Sequence, residues 1–218
     1  MTTDRGGPKM PIRKYPFYAP VIAVLGDSQT KYLRFHFDPR SRTAPTMFVS
    51  KSGGRIADFK EEVDQLPASV RVVVLHCGTN DMPDTDPDMA IRRYVQLIDH
   101  IRSRGNIELV CNPRAFAFNQ RLMTLCRGAR DLYFLDHGFH RQPPTRVLAA
   151  DGLHPSFEGV TQIAHRLRSL VPRLLRRLPT RTASTGTPDP VWPTLQEAAA
   201  WTQRSTRAEK SSRAKQQD

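Results

Sequence analysis

Several common classes are excluded by what this chain of 218 residues lacks. Its three cysteines, Cys77, Cys111 and Cys126, are odd in number and show no metal-ligand spacing. They read as buried free thiols in a reducing compartment rather than as a disulfide framework. No apolar stretch approaches the roughly 18 residues needed to cross a bilayer. The first 20 residues lack the continuous apolar core of a secretory signal, so the expected location is intracellular, cytoplasmic or nuclear. Acidic residues are also scarce, 21 against 33 Lys and Arg, giving a net charge of +12. A hydrophobic fraction of 39% and a mean hydropathy of -0.51 suit one globular core with polar extensions.

The positive charge is unevenly spread. Residues 1–19 hold four basic and one acidic residue, and residues 173–218 hold nine and four, so two-thirds of the excess lies at the two ends. Together with composition this divides the chain into a disordered basic arm (1–19), a folded domain (20–178) and a Pro/Thr-rich linker with a basic, largely disordered tail (179–218). Such flanks suit RNA or single-stranded DNA, or simply a solubilising surface. Both readings stand at this level.

Between the flanks, apolar runs alternate with amphipathic stretches. Val21–Leu25, Thr46–Ser50, Val70–His76, Ile107–Cys111 and Leu132–Leu135 read as strands. Arg55–Leu66, Asp86–Arg104, Phe116–Arg127 and a segment from Ser156 read as helices, with Pro172 expected to kink or divide the last. Arg141–Thr145 reads as a loop. This β-α-β-α order predicts an α/β domain, a doubly wound parallel sheet with helices on both faces.

Candidate chemistry gathers at the strand ends. The run Val21–Leu25 stops at Gly26-Asp27-Ser28, which puts a serine where open α/β sheets bind ligands. Gly54, Asn80 and the pair Asp151/His154 also follow predicted strands or lie in turns beyond them. Acyl transfer needs a nucleophile, a base, a group that orients the base and donors for the oxyanion. Ser28 suits the first role, His154 the second and Asp151 the third. The backbone N–H groups of Ser28 and Gly54 and the Asn80 side-chain amide suit the last. Asp27 and Asp81 read as turn-orienting carboxylates, His76 and His100 as structural, and His137 and His140 as residues near the pocket. Arg173–Arg177 reads as a solvated helix face.

Gly26-Asp27-Ser28, Gly54, Gly78-Thr79-Asn80-Asp81 and Asp151-Gly152-Leu153-His154-Pro155, in this order, resemble the sequence blocks of the SGNH/GDSL hydrolase superfamily. The resemblance covers about residues 20–172. It implies a flavodoxin-like three-layer α/β/α fold and an esterase or acylhydrolase that needs no metal or other cofactor and acts on a small ester. Residues 25–33, 135–138 and 146–159 are further similar to esterase-like domains of tick transposons of the LINE retroelement kind. That similarity implies an accessory domain of a retroelement protein, with nucleic-acid association supplied by other segments. An alternative reading is a catalytically weak or inactive module on the same fold. Two features depart from the family pattern. Gln29 stands where many relatives have leucine, and the chain turns at Asn112-Pro113-Arg114 where relatives have a longer excursion that walls the acyl pocket.

Overall fold

The computed structural model describes residues 11–105, 107–111 and 116–178. The turn at Asn112-Pro113-Arg114 and the segment 179–218 lie outside the described residues. Among the described residues six strands form one sheet: β1 (Ile12–Lys14), β2 (Ile22–Gly26), β3 (Thr46–Ser50), β4 (Val72–His76), β5 (Glu108–Cys111) and β6 (Leu132–Phe134). Their order is β1-β3-β2-β4-β5-β6; β1 is antiparallel to β3 and every other pairing is parallel. The central strands β2, β3 and β4 are buried along their whole length, as a sheet covered on both faces requires.

Among the described residues there are five helices: α1 (Lys60–Asp64), α2 (Pro87–Arg102), α3 (Phe116–Arg127), α4 (Pro144–Val147) and α5 (Phe157–Arg177). Alternate strand residues feed two separate cores. Ala23, Leu25, Val73, Leu75 and Leu109 pack with Phe59, Tyr94, Ile98 and Leu122 on one face. Ile22, Val24, Val72, Val74 and Val110 pack with Ile163, Leu167 and Val171 of α5 on the other. The result is a three-layer α/β/α domain. Its free thiols, Cys77, Cys111 and Cys126, are all buried.

Local chemistry accounts for the helix starts. Asp86 caps α2 by accepting from the N–H groups of Asp88 (2.9 Å) and Met89 (3.3 Å), and Pro87 occupies the first turn. Ser156 caps α5 in the same way through Gly159 N–H at 3.1 Å.

Four segments depart from the sequence reading. Within the stretch read as a disordered arm, Ile12–Lys14 is a strand. Arg13 reaches the buried carboxylate of Glu62 at 2.6 Å and Gln65 at 2.6 Å, which ties this edge to the domain. The helix expected over 55–66 begins as a 3-10 turn, Ile56–Phe59, because Arg55 and Ile56 donate their N–H groups to the carboxylates of Asp58 and Asp81. The loop expected over 141–145 contains the start of α4. Pro172 sits inside α5 without dividing it, with Leu167, Val171 and Leu174 still packed on the sheet.

The register fixes where the site forms. Gly26 of β2 lies opposite Ser50 of β3 and His76 of β4. The loops carrying Ser28, Gly53–Gly54 and Gly78–Asp81 therefore leave three adjacent strands at one level of the carboxyl edge.

Candidate active site

The turn carrying Ser28 is built by close packing. A Cβ at Gly26 would stand 2.3 Å from Thr30 Cγ2 and 2.6 Å from the His76 carbonyl oxygen, so only glycine lets the chain pass. Asp27 then caps a 3-10 turn, Ser28–Thr30, by accepting from the Gln29 N–H at 2.9 Å. Thr30 Oγ1 donates to the Asp27 carbonyl at 2.9 Å and also meets Ser50 Oγ at 2.9 Å. Asp27 N–H reaches His76 O at 3.3 Å, and Lys51 N–H reaches Gly26 O at 2.9 Å. Ser28 is thus presented by a turn anchored to β3 and β4.

The opposite partner comes from a short loop between α4 and α5. A bridge pairs Leu148 with Pro155, Ala149 N–H donates to His154 O at 2.8 Å, and Gly152 turns the chain at a φ of 66°. Asp151 Oδ1 accepts from the N–H groups of Leu153 and His154, both at 2.9 Å. Its Oδ2 lies 2.6 Å from His154 Nδ1, and His154 Nε2 lies 2.9 Å from Ser28 Oγ. With Nδ1–H donated to the carboxylate, Nε2 is left to accept from the serine hydroxyl. The bond to His154, helped by the two backbone N–H groups, holds the Asp151 carboxyl down at about 2.

Ser28, His154 and Asp151 therefore form one hydrogen-bonded chain. The donors expected for an oxyanion are distributed differently. Gly54 N–H donates to the Lys51 carbonyl at 2.9 Å, closing a turn in which Gly53 takes a φ of 74°. The Gly54 hydrogen is thus engaged within its own turn. The neighbouring Gly53 is exposed, and its N–H donates to no atom among the described residues. The same holds for the Ser28 N–H. Asn80 Nδ2 donates one hydrogen to the Gly54 carbonyl at 3.0 Å, which orients the amide and leaves its second hydrogen.

The remaining polar residues mostly support loops. Buried Asp81 accepts from Ile56 N–H at 2.9 Å and from Arg93 at 3.3 Å, linking the loops after β3 and β4. Burial raises its carboxyl, against the pull of Ile56 N–H and Arg93. His100 pairs with Asp64 at 2.7 Å at the edge of α2, and His140 is exposed beside Asp136 and Arg141. Arg173, Arg176 and Arg177 are exposed on α5. His76 and His137 are buried with their ring centroids 6.1 Å apart. Sequence reasoning missed a bond from Gln29 Nε2 to Thr79 Oγ1 at 3.1 Å, for which two residues 50 apart in the chain gave no signal.

No protein-family model matches the chain. No curated protein matches it either. Solved structures do. A carbohydrate esterase family 3 from Talaromyces cellulolyticus superposes with a TM-score of 0.57 at 16% identity, over 72% of this chain and 99% of that one. The psychrotrophic esterase EstA from Pseudoalteromonas sp. gives 0.56 at 14% identity, over 71% and 98%. A Clostridium thermocellum family 3 carbohydrate esterase gives 0.53 at 17% identity, over 71% and 96%. The domain shares its fold with these esterases.

Proposed function

We propose that the protein is a serine esterase that hydrolyses a carboxylic ester through an acyl-enzyme. The observation that carries this reading is the unbroken chain from Ser28 Oγ to His154 Nε2 and from His154 Nδ1 to Asp151 Oδ2. Ser28 Oγ attacks the ester carbonyl carbon while its proton passes to His154 Nε2. Asp151 holds the imidazole and balances the imidazolium. The Ser28 and Gly53 N–H groups and the free hydrogen of the Asn80 amide receive the oxyanion. Collapse of the tetrahedral intermediate expels the alcohol, which takes the proton from His154. Water then attacks the acyl-enzyme and gives a proton to the same nitrogen, which returns it to Ser28 Oγ as the carboxylic acid leaves.

The test is hydrolysis of p-nitrophenyl acetate together with labelling by a fluorophosphonate probe. Ser28→Ala should lower turnover by about 10⁴-fold or more and abolish labelling, with an unchanged circular dichroism spectrum. Equal hydrolysis by the two proteins would sink the reading.

The basic flanks favour a second, compatible reading: a retroelement accessory domain that associates with RNA or single-stranded DNA. Binding should weaken steeply with salt and vanish when residues 1–10 and 179–218 are removed, a deletion that leaves β1 in the sheet. Binding that survives their removal would count against it.

A further inference from the structure

We infer that Gln29 is a positioning residue of this site, whose buried side-chain amide ties the nucleophile turn to the turn carrying Asn80. The inference rests on the esterase reading. Gln29 directly follows Ser28, yet it is only 3% exposed. Its Nε2 donates to Thr79 Oγ1 at 3.1 Å, and its Oε1 meets His76 Nε2 at 3.2 Å. One side chain thus spans from the loop after β2 to the end of β4 and the loop beyond.

An apolar side chain of similar length would fill the same space without any direction. A buried amide with both ends bonded costs little relative to a hydrocarbon, and its bonds fix orientation. Here each end has a partner. His76 is itself only 2% exposed, its imidazole lying against the ring of His137. With the amide oxygen turned to His76 Nε2–H, the amide nitrogen faces Thr79. Thr79 is the residue before Asn80, whose own amide is set by the Gly54 carbonyl. A chain of bonds therefore runs from the residue after the nucleophile to the residue before the oxyanion amide.

That link matters because attack and charge stabilisation occur on one carbonyl group. Ser28 Oγ must reach the carbon while Asn80 reaches the oxygen. A displacement of about 1 Å between the two costs about 10²-fold in rate. Gln29 touches neither atom of the substrate; it sets the spacing of the groups that do.

The test compares the full chain with Gln29→Met, Thr79→Val, Asn80→Ala and the Gln29→Met/Asn80→Ala double variant, on p-nitrophenyl acetate. Gln29→Met should lower kcat about 10- to 100-fold with KM held within about twofold. Asn80→Ala should lower kcat about 10²- to 10³-fold. The double variant should be no slower than Asn80→Ala alone, because Gln29 acts through Asn80. Thermal unfolding is measured beside each. Should Gln29→Met fail to fold, Thr79→Val removes only the accepting hydroxyl and makes the same comparison. A Gln29→Met or Thr79→Val enzyme with normal kcat, or a loss that multiplies that of Asn80→Ala, overturns the positioning role while the esterase reading stands. A wild-type chain that neither hydrolyses the ester nor takes up a fluorophosphonate overturns both.

Discussion

The two halves of the site are held in place by different means. The half around Ser28 is buried: Asp27, Gln29 and Thr30 are almost wholly covered, and their bonds reach β3 and β4. The half that carries His154 is open, with side-chain exposures of 50% for Asp151 and 35% for His154. Apart from the contact with Ser28, the bonds of Asp151 and His154 stay within residues 149–154. One half is therefore a product of the assembled sheet and the other a product of local chain geometry. Injury to the first should spread into the fold, whereas injury to the second should remain local.

The strongest way to probe that contrast is Gly26→Ala. The added Cβ would meet Thr30 Cγ2 at 2.3 Å and the His76 carbonyl oxygen at 2.6 Å. The threonine has no space to retreat, since its hydroxyl is bonded to Asp27 O and Ser50 Oγ. The carbonyl belongs to β4, so relief requires β2 and β4 to separate. Chemical denaturation should report a loss of about 3 kcal/mol or more, with esterase activity lost as well. A loss below about 1 kcal/mol would mean that the buried half is softer than its packing implies.

The same division governs what the sequence reveals. Strands and their order are legible because apolar runs end abruptly in turn residues, and Gly26-Asp27-Ser28 is one of those ends. Asp151 and His154 are legible because three residues of spacing suffice for a local hydrogen bond. What escapes is whatever depends on residues distant in the chain or on a dihedral angle. Which of Gly53 and Gly54 takes the positive φ, and so which N–H bonds to the Lys51 carbonyl, is decided by no composition signal. Gln29 reads only as a departure from the leucine of many relatives until its partners Thr79 and His76 appear beside it. The strand at Ile12–Lys14 needs Glu62 and Gln65, about 50 residues away, to hold Arg13.

A milder probe of the buried half is acid. His137 is 6% exposed, and both of its ring nitrogens are buried without a hydrogen-bond partner among the described residues. Burial, then the neighbouring His76 and Arg166, push its pKa well below the ordinary 6.5. The unfolded chain therefore takes up this proton at a higher pH than the folded one. Stability should be complete above about pH 6.5 and fall below it, approaching about 1.4 kcal/mol per pH unit from this one group. Asp151 adds no pH dependence in that window. Its carboxyl, held down at about 2, adds stability that is lost only as pH falls below about 3.8. His137→Phe should flatten the dependence of thermal unfolding on pH between 5 and 7. Parallel profiles for the two proteins would remove His137 from the account.

The smallest effect is expected in the exposed half, at Gly152. Its φ of 66° is a left-handed conformation, but a Cβ there would meet nothing within 4 Å. Gly152→Ala therefore carries backbone strain alone, about 1–2 kcal/mol, with no packing conflict to add. Its N–H bond to Ala149 O at 2.9 Å survives the change, and so do the bonds that Asp151 makes to Leu153 and His154. Thermal unfolding should drop by a few degrees while kcat stays within about fivefold, because the strain falls between the acid and the base without moving either anchor. A loss matching that of Gly26→Ala would show that residues 149–154 lean on the rest of the domain as heavily as the nucleophile turn does, and the contrast between the halves would fail.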